Sequence, residues 1–285
     1  MFASTVSTRC CGTTKSGQRC SITSSSSMTD SLGRLVADPL RKGSSFCMLH
    51  TVLFCVEPTQ VVDPLVVYMD LETNSLDVLS GKIVEIGALV EGHGFMFSTV
   101  VNPGQDESID QPSVHGIPAS ELLSGPCFSE AFWRFDAFLR HASLSVLDAE
   151  DDSEDEHRMA TAMKPDQDIL IVAHNGMKFD FPFLLSEAMR AGIGPGVMAT
   201  WVYVDTLDVL QATDCECRKL QCAFRAFGGS PGLRAHRALD DCIALGSVVR
   251  SISASLGVTP WMLLGHFAVR LDEDSTRAGL SALLG

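Results

Sequence analysis

From Asp63 onward, short apolar runs alternate with stretches whose apolar residues recur every three or four positions. Leu65–Leu71 is apolar apart from Asp70 and reads as a buried strand. Lys82–Val90 and Gly94–Val101 predict a second and a third strand, with a hairpin turn at Gly92–Gly94. Phe128, Ala131, Phe132, Phe135, Phe138, Leu139 and Ala142 share one helical face, which predicts a helix over 128–142. Asp168–Ala173 and Thr200–Val204 predict two further strands. Phe181–Ala191, Cys217–Phe227 and Ala238–Ser255 predict helices, the first ending near Gly192 and the second stopped by Gly228-Gly229. A last helix with Trp261, Leu263, Leu264 and Phe267 follows Pro260. Strands and helices in this order predict an α/β domain over 64–255, with a mixed five-stranded sheet flanked by helices, and a helical tail over 256–285. No internal repeat is visible.

Residues 1–60 read differently. They are rich in Ser and Thr, lack the periodic apolar pattern, and carry no acidic residue before Asp30. Ser24–Ser27 is low in complexity and reads as flexible. Arg9, Lys15 and Arg19 among the hydroxyls fit an organelle transit peptide as one reading. The whole chain of 285 residues has a formal net charge of −14 and a pI of about 4.9. That balance excludes binding to nucleic acid mainly through a basic coat. It does not exclude a nucleic-acid enzyme, because half of the charge sits in one run, Asp148–Glu156, with seven acidic residues and no basic one. The stretch 148–165 reads as an exposed acidic insertion. No apolar run approaches the roughly 18 residues of a membrane span. Ten cysteines in a chain of this length are too sparse for a disulfide scaffold, and the six scattered ones read mostly as small buried hydrophobes. A reducing intracellular setting, nucleus or cytoplasm, is the expectation.

Three polar constellations interrupt the apolar pattern. Asp70-Leu71-Glu72-Thr73 closes the first strand, where residues two apart face the same way, so Asp70 and Glu72 project together. Two adjacent carboxylates are costly unless a cation neutralises them, although solvated acids at a strand end are the plainer alternative. His174-Asn175-Gly176-Met177-Lys178-Phe179-Asp180 follows the fourth strand, and Asp180 could simply cap the next helix. His236-Arg237-Ala238-Leu239-Asp240-Asp241 opens the last long helix. On one helix His236 and Asp241 would differ by about 140° around the axis. They converge only if His236 lies in the preceding loop and Asp241 on the helix. Spacing alone does not choose between Asp240 and Asp241.

Taken together, these three motifs resemble the DEDDh (DnaQ-like) 3′-to-5′ exonucleases. They match that group's Asp-x-Glu strand, His-Asn-x-x-x-Phe-Asp turn and His-x4-Asp motif, which selects Asp241. Val114-His115-Gly116-Ile117 is similar to its His-Gly-Ile segment, and Asp205-Thr206 and Leu220–Gly228 match in place and type. The likeness spans roughly 64–252. Ala173–Gly176 with Phe179–Pro182 is nearest in wording to proofreading domains and three-prime repair exonucleases, without the polyproline segment of the latter. The resemblance implies a ribonuclease H-like fold and release of 5′-mononucleotides from 3′ ends of DNA or RNA, DNA being favoured. It implies Asp70, Glu72, Asp180 and Asp241 as ligands of two Mg²⁺ or Mn²⁺ ions, hard cations suited to carboxylate oxygens. It implies His236 as general base. Leu71, Thr73, His115, Gly116, Ile117, Asn175 and Phe179 become candidates for holding the terminal nucleotide. The alternatives are an exoribonuclease of the same fold and a nucleic-acid-binding adaptor.

The adaptor reading rests on the amino-terminal cysteines. Cys10, Cys20, Cys47 and His50 make a candidate Cys3His structural zinc site, with Cys11 as rival to Cys10. The spacing resembles short Cys/His zinc modules attached to other domains. Such a module would bind nucleic acid or a partner protein, a second copy of the chain included.

Overall fold

A computed structural model describes residues 7–9, 19–21, 63–104, 115–150, 167–230, 232–233 and 236–270. Near the amino terminus, β1 (Ser7–Arg9) and β2 (Arg19–Ser21) pair antiparallel, with Thr8 opposite Cys20. Cys10, Cys11, Cys47 and His50 lie outside the described residues, as does most of the acidic stretch 148–165.

The remaining strands form one sheet in the order β5-β4-β3-β6-β7-β8. β3 (Leu65–Thr73) lies between β4 (Ile83–Val90), which is antiparallel to it, and β6 (Ile169–Ala173), which is parallel. β5 (Met96–Val100) extends the antiparallel side and β7 (Trp201–Asp205) the parallel side. These are the five expected strands. A sixth, β8 (Val269–Arg270), was not foreseen and pairs antiparallel with β7. Among the described residues the sheet is therefore six strands wide. No helix among the described residues is long and apolar enough to cross a membrane.

Alternation along β3 sorts the two layers. Leu65, Val67, Met69 and Leu71 face a core shared with α2 (Phe128–Glu150) and α3 (Asp180–Arg190). Val66 and Tyr68 face the opposite core, with α5 (Leu220–Ala226), α6 (Ala238–Leu256) and α7 (Pro260–Gly265). A short helix, α1 (Ala119–Ser124), packs Leu122 on Val84 and Ile117, and α4 (Thr206–Gln211) follows β7 directly. α2 runs past the expected end at Ala142, because Val146 continues its buried face one turn further. The described cysteines are mixed. Cys215 and Cys242 are buried, Cys217 and Cys222 half-buried and Cys127 exposed, so the expectation of mostly buried thiols holds for two of these five.

Candidate active site

The face of β3 that carries Val66 and Tyr68 carries Asp70 and Glu72 at its end, turned toward α6. Their cross-strand neighbours on β4 are Gly87 and Glu85, and the register slips between Glu72 and Thr73. The missing side chain at Gly87 lets α6 approach the sheet. A Cβ there would stand 2.4 Å from the carbonyl carbon of Ala238 and 2.5 Å from the amide nitrogen of Leu239. The first turn of α6 thus rests on the strand opposite Asp70 and delivers Asp241. Asp180 arrives from the other layer as the first residue of α3 and accepts the N–H of Leu71 at 3.0 Å. It does not cap the helix, since Phe179 holds that position and makes no side-chain capping bond.

His236 lies in the loop before α6 and Asp241 on the helix, the one arrangement in which five residues of spacing allow them to meet. The backbone of His236 is left-handed, with φ of 67°, and its N–H donates to Asp241 Oδ2 at 3.2 Å. Asp241 Oδ1 accepts from Gln221 Nε2 at 2.6 Å. Ligand atoms of Glu72, His236 and Asp241 all lie within 4.8 Å of one another. Asp240 is only half-buried and does not belong to that group.

Burial and mutual repulsion dominate the electrostatics. Glu72 is 8% exposed, and among the described residues no hydrogen-bond donor reaches its carboxylate. Burial, then Asp241, Glu85 and Asp180, raise its pKa from the usual 4.5 to about 8, against a smaller pull from Arg237. Burial also raises Asp70 well above the carboxylate range, with Asp180, Asp241 and Glu72 adding to it. Asp180 and Asp241 are raised as well, burial again first. Four acids that resist ionising together are what a hard cation would relieve, and every donor atom they offer is oxygen.

No family model matches the chain. Its sequence is 28% identical over 200 residues to Exonuclease DPD1, chloroplastic/mitochondrial, of Arabidopsis thaliana. That match takes in 67% of this chain and 57% of the relative, so the chain spans a little over half of the relative's length. The fold matches a zinc-bound E. coli ExoI–ssDNA complex at a TM-score of 0.50 and 16% identity, over 68% of this chain and 41% of that one. It matches a 3′-exonuclease described as recognising the 3′ end of a histone mRNA stem-loop at a TM-score of 0.51 and 10% identity, over 73% and 71%. The chain shares the fold of these exonucleases.

The other residues that the DEDDh likeness pointed to are placed unevenly. Asn175 is half-buried with a left-handed φ of 62°, a conformation asparagine tolerates. Phe179 is half-buried and packs on Phe183 at 4.8 Å between ring centres. Leu71 and Thr73 are buried, with the Leu71 N–H given to Asp180 and the Thr73 hydroxyl to Ser75 O at 2.6 Å. His115 is buried, accepts the N–H of Ile117 at its Nδ1, and has its pKa lowered by burial. Ile117 is fully buried, whereas Gly116 is exposed with φ of 66°.

Three further groups support these residues. Asp205 accepts from Asn175 N at 2.8 Å, Met177 N at 3.1 Å and Leu207 N at 2.9 Å, and so holds the turn that leads to Asp180. Gln221, the donor to Asp241, gives no sign of that role in the sequence. Glu85 does give one, as a lone acid in an otherwise apolar strand.

Proposed function

We propose that this chain is a metal-dependent 3′-to-5′ exonuclease that hydrolyses phosphodiester bonds of single-stranded or frayed nucleic acid and releases 5′-mononucleotides. The observation that carries it is the convergence of Asp70, Glu72, Asp180 and Asp241 with His236 from β3, α3, α6 and the loop before α6. Asp70, Glu72, Asp180 and Asp241 are the residues that would hold two Mg²⁺ or Mn²⁺ ions. Such ions lower the pKa of an attacking water and stabilise charge on the leaving 3′ oxygen. His236 stands exposed at the edge of the carboxylate cluster, where its imidazole would take the proton from an attacking water. Asn175, Phe179 and Gly116, none of them buried, are the residues that would meet the terminal nucleotide, with His115 and Ile117 buried behind Gly116. Stacking on a frayed end needs no particular base, which suits a non-specific substrate.

Matched 3′-labelled DNA and RNA strands, incubated with Mg²⁺, Mn²⁺ or chelator, test the reading. Wild type releases labelled mononucleotides only with metal, and Asp70→Ala releases none. DNA is the favoured substrate, from the likeness to repair exonucleases, and faster loss of the RNA label reverses that choice. Retention of both labels by wild type under every metal condition overturns the reading. The organellar name of the Arabidopsis relative favours the transit reading of residues 1–60, with its basic and hydroxyl residues, over the nuclear or cytoplasmic one. Cys10, Cys20, Cys47 and His50 remain the proposed ligands of one structural zinc ion in that segment, whether for nucleic acid or for a protein partner.

A further inference from the structure

Glu85 is 1% exposed and sits opposite Glu72 across the β3–β4 ladder. Like charges in that position repel unless one is compensated. Arg237 compensates Glu85. Its Nε lies 3.1 and 3.2 Å from the two carboxylate oxygens, and its Nη2 lies 2.8 Å from Oε1. The same Nη2 donates to Glu121 Oε1 on α1 at 3.1 Å. Glu85 Oε2 also accepts the N–H of Ala238, the first residue of α6, at 3.0 Å. One guanidinium therefore ties together the sheet, the helix that follows His115–Ile117, and the residue next to His236.

The neighbour needs such a hold. His236 has a left-handed backbone, a strained conformation for a residue with a Cβ that persists only where the surroundings enforce it. On one side its N–H is fixed to Asp241. On the other side the chain is fixed by Arg237. The planar fork of arginine is what permits this, because it meets a carboxylate edge-on with two donors and still offers a donor to a second acid.

We infer that Arg237, gripped by Glu85 and Glu121, is a positioning residue that holds His236 in its left-handed turn and sets the imidazole for proton transfer. Its side-chain hydrogen bonds go to Glu85 and Glu121 and to none of the four clustered acids. The inference rests on the exonuclease reading and adds to it a coupling between α1 and the base.

The test is steady-state kinetics on a labelled single strand, with Mn²⁺ affinity read separately by electron paramagnetic resonance. Arg237→Gln lowers kcat about 100-fold, the cost of misplacing a reacting group by about an ångström, while KM and Mn²⁺ affinity stay within about twofold. Guanidinium ion added at millimolar concentration restores part of the rate to Arg237→Ala, and Arg237→Lys falls between the two. Arg250→Gln, which breaks the ion pair to Glu91 at 2.7 Å away from the site, keeps wild-type kcat. Glu121→Gln loses only the partly exposed link to α1 and lowers kcat about threefold, as expected for such a pair. It decides the matter should the Arg237 variants fail to fold. Hydrolysis by wild type with unchanged kcat in folded Arg237→Gln, or in Glu121→Gln if that variant must decide, overturns the clamp alone. A parallel loss of Mn²⁺ affinity in Arg237→Gln also overturns it, by placing the residue in the metal site. Absence of hydrolysis by wild type overturns the exonuclease reading and the clamp with it.

Discussion

Replacing Glu72 by glutamine should stabilise the metal-free protein while removing its activity. The carboxylate of Glu72 is buried among other acids, and its pKa is raised from 4.5 to about 8. Between those values the folded state keeps a proton that the unfolded chain has released, so stability falls as pH rises through the window. The ionised group is harmless below pH 4.5 and exacts its full cost above pH 8. At about 1.4 kcal/mol per pH unit, the cost is roughly 3 kcal/mol at pH 7 and roughly 5 kcal/mol above pH 8. Glutamine keeps the shape and removes the charge. In chelator at pH 7, Glu72→Gln should therefore melt about 6–12 °C above wild type, at about 2–4 °C per kcal/mol for a domain of this size. The gap should close toward pH 5. Asp70, Asp180 and Asp241 add slope of the same sign, so the difference between the two proteins, rather than either slope, isolates Glu72. Mg²⁺ should reverse the order, since an ion at about 1,000 times its Kd contributes roughly 4.1 kcal/mol to wild type and little to the variant. Scanning calorimetry from pH 5 to 8.5, with chelator and with Mg²⁺, measures all of this. If Glu72→Gln melts at or below wild type in chelator at pH 7, Glu72 is not a buried uncompensated charge and the electrostatic case for a cation there collapses.

Two more substitutions probe how the site is assembled. Gly87→Ala places a Cβ 2.4 Å from the backbone of Ala238, so α6 must lift off β4. A loss of about 1–3 kcal/mol in urea denaturation should accompany at least a tenfold fall in turnover. Full activity in that variant would show that Asp241 does not depend on the close seating of α6. Asp205→Asn turns one of the two acceptor oxygens into a donor against a backbone N–H of the His174–Met177 turn. It should cost about 1–3 kcal/mol and loosen the protection of Asn175 and Met177 amides in hydrogen exchange. Wild-type protection there would remove Asp205 from the support of the turn.

Much of the architecture was legible because two periodicities carry it. The apolar alternation of β3 fixed which face Asp70 and Glu72 share, and the five-residue gap between His236 and Asp241 fixed which one lies in the loop. β8 was not legible. Two residues carry no pattern, and the strand is held by Tyr203 opposite Val269 and by Arg270 on both oxygens of Asp168, at 2.6 and 2.7 Å. The last turns of α2 were missed because Asp148 and Glu150 read as the start of a loop, although Ala142 and Val146 keep the buried face in phase. Gln221 and Arg237 act on partners 20 and 152 residues away, and no local signal announces a contact that only the fold creates.

The buried acids separate by what satisfies them, and that separation locates the site independently of any motif. Glu85 has Arg237 and the N–H of Ala238, and Glu187 has Arg190 and Lys82. Asp136 has Arg140, and Asp205 has three backbone N–H groups. Each of these charges is compensated within the chain, as burial of an ion requires. Asp180 has the neutral N–H of Leu71, Asp241 a side-chain amide and one N–H, and Glu72 no donor among the described residues. These three stand together at the end of β3, beside Asp70. A fold that supplies cations or dense donor sets to its other buried acids, and withholds them from four neighbours, leaves a charge deficit in one place. Protons relieve the repulsion toward low pH, and a divalent cation is the species that would relieve it with the acids ionised.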